Sequence, residues 1–212
     1  MKTPRALAFT LATTLFACGG ASNTADSATP SDARSSGGDA SLAPSLVGRW
    51  RNACTPNGSG GGFSLDFNFT ASDWTLDYVV YAEPTCATRN VTVRIEGPYE
   101  IGARNAQVAS AFDGVFRFTR KTVTAHSAGA ASYLATLPMC EGPFEVGVAR
   151  DISATGCAGL GQRPIAACGQ DYDLVSVDGE ALRFGARPAD NDMCTAEKRP
   201  TALAPVASQR VR

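Results

Sequence analysis

Between Leu46 and Ile101 the chain repeatedly alternates apolar and polar positions. Phe63, Leu65, Phe67 and Phe69 are separated by Ser64, Asp66 and Asn68. Trp74, Leu76, Tyr78 and Val80 are separated by Thr75, Asp77 and Val79, and Val91, Val93 and Ile95 by Thr92 and Arg94. Successive strand side chains point to opposite faces, so each run predicts a strand with one apolar face and one largely wet face. Three such strands in succession present a broad apolar surface. That surface is either a packed core or the wall of a ligand cleft, and the alternation is the same for both.

The remaining elements are read as what covers and tethers this surface. Gly97 and Pro98 interrupt the pattern, and a proline without an amide donor predicts a bulge or kink there. Val115 to Thr124 predicts a further strand, with Phe116 and Phe118 on one face and Val115 and Val123 on the other. Helix is predicted once, over Ser127 to Leu137: Ser127 caps it, Ala128, Ala131, Leu134 and Ala135 share a face, and Pro138 ends it. This helix is expected either to lie over the open side of the sheet or to plug its core. Phe144, Val146 and Val148 predict another strand. Asp178-Gly179, between Tyr172–Val177 and Ala181–Phe184, predicts a type I′ hairpin. After Arg187, Pro188, Pro200 and Pro205 suggest a strap held by Cys194. The expected fold is all-β with one short helix, a curled antiparallel sheet forming an open or half barrel, lipocalin-like in outline.

Composition adds the compartment. Of 212 residues 18% are charged and the net charge is -1, which provides no field for a nucleic-acid partner. Lys2 and Arg5 precede an apolar run, Ala6 to Phe16, too short to span a bilayer, so residues 1–17 read as a signal peptide. Leu15-Phe16-Ala17-Cys18 resembles the lipobox of bacterial lipoproteins, which makes Cys18 the expected lipidation site and N-terminal anchor. An ordinary secretory signal cleaved after Ala21 is the alternative. Residues 18–44, rich in Ser, Ala, Thr, Asp and Gly, cannot bury enough surface to offset their ordering entropy and read as a flexible linker. Residues 45–206 form the expected disulfide-stapled domain and 207–212 a tail. Gly19 after the cysteine points to the outer membrane rather than inner-membrane retention.

Six further cysteines, Cys54, Cys86, Cys140, Cys157, Cys168 and Cys194, read as three disulfides in an exported chain. They allow 15 connectivities. Proximity suggests Cys54 with Cys86, Cys157 with Cys168, and Cys140 with Cys194. With no CxxC spacing and a single histidine, His126, no metal site or cofactor is expected. No GxSxG elbow, P-loop or dinucleotide fingerprint is present. Asp190-Asn191-Asp192 lacks the glycine and distal glutamate of a calcium loop. Asp66 and Asp77 could face each other across neighbouring strands, where they read as solubility residues rather than a hydrolytic pair. The chain is expected not to be an enzyme.

Leu46-Val47-Gly48-Arg49-Trp50, Cys54, Cys86 and Gly97-Pro98-Tyr99 together resemble the repeat domain of the adenomatosis polyposis coli down-regulated protein family. Asp171-Tyr172-Asp173-Leu174-Val175, Leu182, Phe184, Gly185 and Arg199-Pro200-Thr201-Ala202-Leu203 extend the likeness over residues 46 to 203. Its Gly-x-Trp start is shared with lipocalins. The resemblance implies a curled sheet whose hydrophobic cleft takes up lipid chains. It implies no catalytic residues, and the signalling role of the family's animal members does not carry over to a chain with a bacterial-style anchor. The expected site is therefore the face formed by Phe63, Leu65, Phe67, Phe69, Trp74, Leu76, Tyr78, Val91, Val93 and Ile95, holding a fatty-acyl or similar amphiphilic ligand. The alternative is a cell-envelope structural or interaction module with a closed core, meeting an envelope protein through loops such as 56–61 or 188–198.

Overall fold

The computed structural model of the protein describes residues 43–212. The signal peptide expected over 1–17, Cys18 and all but the last two linker residues lie outside the described residues. Eleven strands follow: β1 (Gly48–Asn52), β2 (Thr55–Pro56), β3 (Gly62–Phe69), β4 (Asp73–Tyr81), β5 (Arg89–Arg104), β6 (Phe112–Arg117), β7 (Arg120–Ala125), β8 (Ala149–Asp151), β9 (Gln170–Asp178), β10 (Ala181–Phe184) and β11 (Ser208–Arg210). The helix α1 spans Ala128–Leu134.

All strand pairings are antiparallel, and eight of the strands close a ring. The order is β3, β1, β11, β10, β9, β6, β5 and β4, with β4 returning to β3. The expected all-β, curled antiparallel sheet is thus present, but it forms a full barrel rather than an open or half one. The closing strand is the reason. Ser208–Arg210, expected as a tail beyond the domain, inserts between β1 and β10, with Trp50 opposite Arg210 and Leu182 opposite Ser208.

Register follows the alternation. In β3 and β4, Phe63 faces Val80, Leu65 faces Tyr78, Phe67 faces Leu76 and Phe69 faces Trp74. Continuing into β5, Leu76 faces Ile95, Tyr78 faces Val93 and Val80 faces Val91. A one-residue slip would turn every one of these side chains to water, so the pairing is strongly specified. The same register builds a charged row outside: Asp66 lies opposite both Arg51 and Asp77, and Asp77 opposite Arg94.

Several expected elements differ in detail. Val115 to Thr124 is part of one long course against β5, broken into β6 and β7 at Phe118 and Thr119. The break is matched by Gly97, whose absent side chain leaves room for the Arg117 carbonyl: a Cβ there would lie 2.2 Å from that oxygen. β5 itself runs unbroken through Pro98, which falls at the end of the β4 pairing, opposite Asp73. Phe144 to Val148 is not a strand beyond a single bridge at Val146, because Gly147 takes a positive φ; β8 begins only at Ala149. In the β9–β10 hairpin Asp178 pairs with Ala181, so the loop residues are Gly179 and Glu180. Positive φ at Gly179, in the first loop position, is the pattern of a type II′ turn, not I′.

The cystines are Cys54–Cys86, Cys140–Cys157 and Cys168–Cys194. The first agrees with expectation and the other two do not. Cys157 and Cys168 are close in sequence, yet the segment between them is itself folded: Cys157 exchanges backbone hydrogen bonds with Gln162, and the short helical turn Ala158–Leu160 lies within it. One cystine therefore ties each end of this segment to a different neighbour.

Candidate functional site

The barrel interior is divided along β3 and β4. At one end aromatic rings cluster. Phe69 meets Tyr99 and Phe116, Trp74 meets Phe116 and Phe118, and Phe184 meets Phe67 and Phe116, with centroids 4.7 to 6.4 Å apart. Such pairs add about 0.5–1.5 kcal/mol each beyond their burial. Trp50 is fully buried and donates its indole N–H to the Leu46 carbonyl at 2.8 Å.

Toward the other end the same strands line open space. A cavity of about 450 Å³ is walled by Phe63, Leu65, Leu76, Tyr78, Ile95 and Phe118. An adjoining lobe of about 270 Å³ reaches inward past Phe67, Trp74, Phe116, Leu182 and Phe184. The larger lobe alone falls in the range typical of small-molecule sites, roughly 300–1,000 Å³. Of the ten residues expected to form the ligand face, seven line this cavity: Phe63, Leu65, Phe67, Trp74, Leu76, Tyr78 and Ile95. Phe69, Val91 and Val93 do not; they are buried in the packed core.

Of the two positions expected for the helix, over the open side or plugging the core, it takes the second. Ser127 caps α1 through the Ala130 amide, as expected, and Ala130 and Leu134 are buried in the core. The larger lobe is instead bordered by Leu160, Gly161, Gln162 and Arg163, and by Asn191. Two cystines hold this border, Cys140–Cys157 before it and Cys168–Cys194 after it. The Asn191 amide group donates to the Gly161 carbonyl at 2.9 Å and ties the two loops together.

Polar groups at the cavity were not part of the expected site. Asp171 and Asp173, two residues apart on β9, both point inward and are buried. Arg187 lines both lobes, donates to the Asp171 carboxylate and to Asn191 Oδ1 at 2.7 Å, and leaves 48% of its side chain accessible. Burial opposes the Arg187 charge, but Asp171 and Asp173 outweigh it and raise its pKa. The Asp173 carboxylate accepts from the Leu174 and Gly185 amides at 2.7 and 2.9 Å. Burial nonetheless pushes this carboxyl up to about 6, against the pull of Arg187.

Lys121 is buried without an ion-pair partner of its own. It is 3% exposed, lines the larger lobe, and follows Ile95 in the inward row that runs Phe67, Leu76, Ile95, Lys121 across β3, β4, β5 and β7. Its ammonium donates to the Arg163 carbonyl at 3.2 Å and lies 4.1 Å from the centre of the Phe118 ring. Among the described residues no carboxylate forms an ion pair with it. Burial pushes its pKa down to about 8, so it remains cationic at neutral pH.

The other polar candidates are accounted for structurally. Asp66 and Asp77 do face each other, as anticipated, but Arg49 and Arg51 hold Asp66 and Arg94 holds Asp77. Asp192 is paired with Arg163 and Lys198, which together with the Cys194 amide hold its carboxyl well below the usual range. His126 is half-buried and shares a 2.7 Å hydrogen bond with Thr92. Among the described residues no cluster of three or more His, Cys, Asp or Glu is placed to hold a metal ion.

The missed residues had a weak signal. Lys121 shares a face with Val123 in the predicted strand Val115 to Thr124, and Asp173 shares one with Val175 in Tyr172–Val177, with Asp171 just before it; polar members of an otherwise apolar alternation are candidates for an inward position. No known family model matches the chain, and no curated protein is detectably similar to it.

Proposed function

We propose that the barrel is a non-catalytic carrier for a lipid or other hydrophobic ligand, held at the cell envelope by a lipid on Cys18. The observation that carries the reading is the cavity of about 450 Å³ walled by Phe63, Leu65, Leu76 and Tyr78, continued inward by a lobe of about 270 Å³. Burying an acyl chain against such a wall is worth about 0.8 kcal/mol per CH₂, enough for useful affinity without any reaction. Among the lining groups the carboxylates are occupied, Asp171 by Arg187 and Asp173 by two backbone amides, which leaves neither an evident general base. The signal-like residues 1–17, the lipobox resemblance at Cys18 and the linker supply the address, with the outer membrane of a two-membrane cell as the expected membrane.

Native mass spectrometry of the protein after incubation with mixed membrane lipids tests this. The expected result is retained lipid in the parent and loss of it in Leu76→Asp, which places a charge on the cavity wall. A parent that retains nothing, or an L76D variant that retains as much, refutes the proposal. Co-purification of an envelope protein insensitive to L76D would favour the interaction-module alternative.

A further inference from the structure

Resting on the carrier reading, we propose that the ligand is an anionic amphiphile, an acyl chain ending in a carboxylate, and that Lys121 is its head-group anchor. The charge balance at the larger lobe isolates this residue. Arg187 is paired with Asp171, and Arg163 with Asp192 at 2.9 Å, so both lining guanidiniums already have carboxylate partners. Asp173 borders only the inner lobe, where two backbone amides bind it. Asp171, which also lines this lobe, acts on Lys121 through space, but its carboxylate is bonded to Arg187, so among the described residues Lys121 is the lining cation that has no carboxylate within ion-pair distance.

An ammonium carries three donors and no acceptor. One is satisfied by the Arg163 carbonyl, and the Phe118 ring face takes part of the charge. Placing a cation among apolar side chains is costly unless an opposite charge meets it, and groups that cost a fold stability are concentrated at sites of function. The residue also has the right neighbours. Ile95 lies directly opposite it on β5 and Leu76 one strand further, so a carboxylate bound at Lys121 leaves its chain running along Ile95 and Leu76 towards Leu65 and Phe63. The cationic head is at the loop-covered lobe and the apolar wall continues inward to Phe67 and Trp74.

The test uses dodecanoate, 1-dodecanol and dodecyltrimethylammonium, matched in chain and different in head, titrated by calorimetry at pH 7 into the full chain and into Lys121→Met and Lys121→Gln. Hydrogen bonds to charged groups imply that the parent binds dodecanoate at least about tenfold more tightly than dodecanol, and the ammonium more weakly still. In both variants the acid and the alcohol should bind within about twofold of each other. The pair of variants guards against one failing to fold, and thermal melts identify any that does. Equal binding of acid and alcohol by the parent, or an acid preference that survives in a folded variant, overturns the head-group assignment while leaving the carrier reading intact. If none of the three amphiphiles binds the parent, the carrier reading falls and the assignment falls with it.

Discussion

β3 offers a comparison within one strand. Phe69 and Phe63 lie on the same face, six positions apart, with the same side chain and the same alternation around them. Phe69 is buried against Tyr99 and Phe116, whereas Phe63 is half-buried beside Tyr78 and faces the cavity. Inward orientation is set locally by strand geometry. Whether the inside is filled is set by what the rest of the ring brings there: at the Phe69 end three aromatics from β5, β6 and β10, at the Phe63 end a loop border and a buried cation.

The largest test of this contrast is Phe69→Ala, which should cost about 3–5 kcal/mol in chemical denaturation because it opens a hole in a packed cluster. Next, replacing Cys168 and Cys194 together should cost about 3.5 kcal/mol from the 26-residue separation on a chain-entropy basis, and should also loosen the cavity border, read as faster amide exchange at 160–163. Asp173 gives a pH-dependent effect of about 2–3 kcal/mol. Its folded pKa of about 6 exceeds the ordinary 3.8, so its contribution is full below pH 4 and is lost as pH rises through 6. Asp173→Asn keeps an acceptor for the Leu174 and Gly185 amides, so this variant should gain on the parent progressively between pH 4 and 7. A constant difference over that range would show that Arg187 keeps the carboxylate ionised throughout. The smallest expected loss is Phe63→Ala, about 1 kcal/mol, since the side chain already borders open space. If Phe63→Ala and Phe69→Ala cost the same, the two ends of the strand do not differ and the cavity is not open in solution.

The contrast also explains what could be read from sequence. Strand positions, the inward faces of β3 to β5 and the Ser127 cap depend on neighbours in the chain, and the alternation of Phe63 to Ile95 shows them directly. Seven of the ten residues expected on the apolar face therefore do line the cavity. Phe69, Val91 and Val93 carry the same local signal as those seven but are covered by partners distant in sequence, which periodicity does not register. Lys121, Asp171 and Arg187 meet at one cavity from β7, β9 and the segment after β10. Nothing in a linear pattern brings them together. The cystines show the same limit: Cys157 and Cys168 are separated by a folded turn that spacing alone does not reveal.

The closing strand has a consequence for how the molecule is made. Arg210 donates to the Val47 carbonyl, 163 positions away, and stacks over Trp50 at 4.1 Å, so the first strand of the ring waits for a late-synthesised segment before it gains its second neighbour. Until Ser208–Arg210 docks, β1 and β10 each present an open edge, and such edges invite pairing with other chains. Shortening the chain before Ser208 should thus leave both edges unpaired and raise aggregation on refolding.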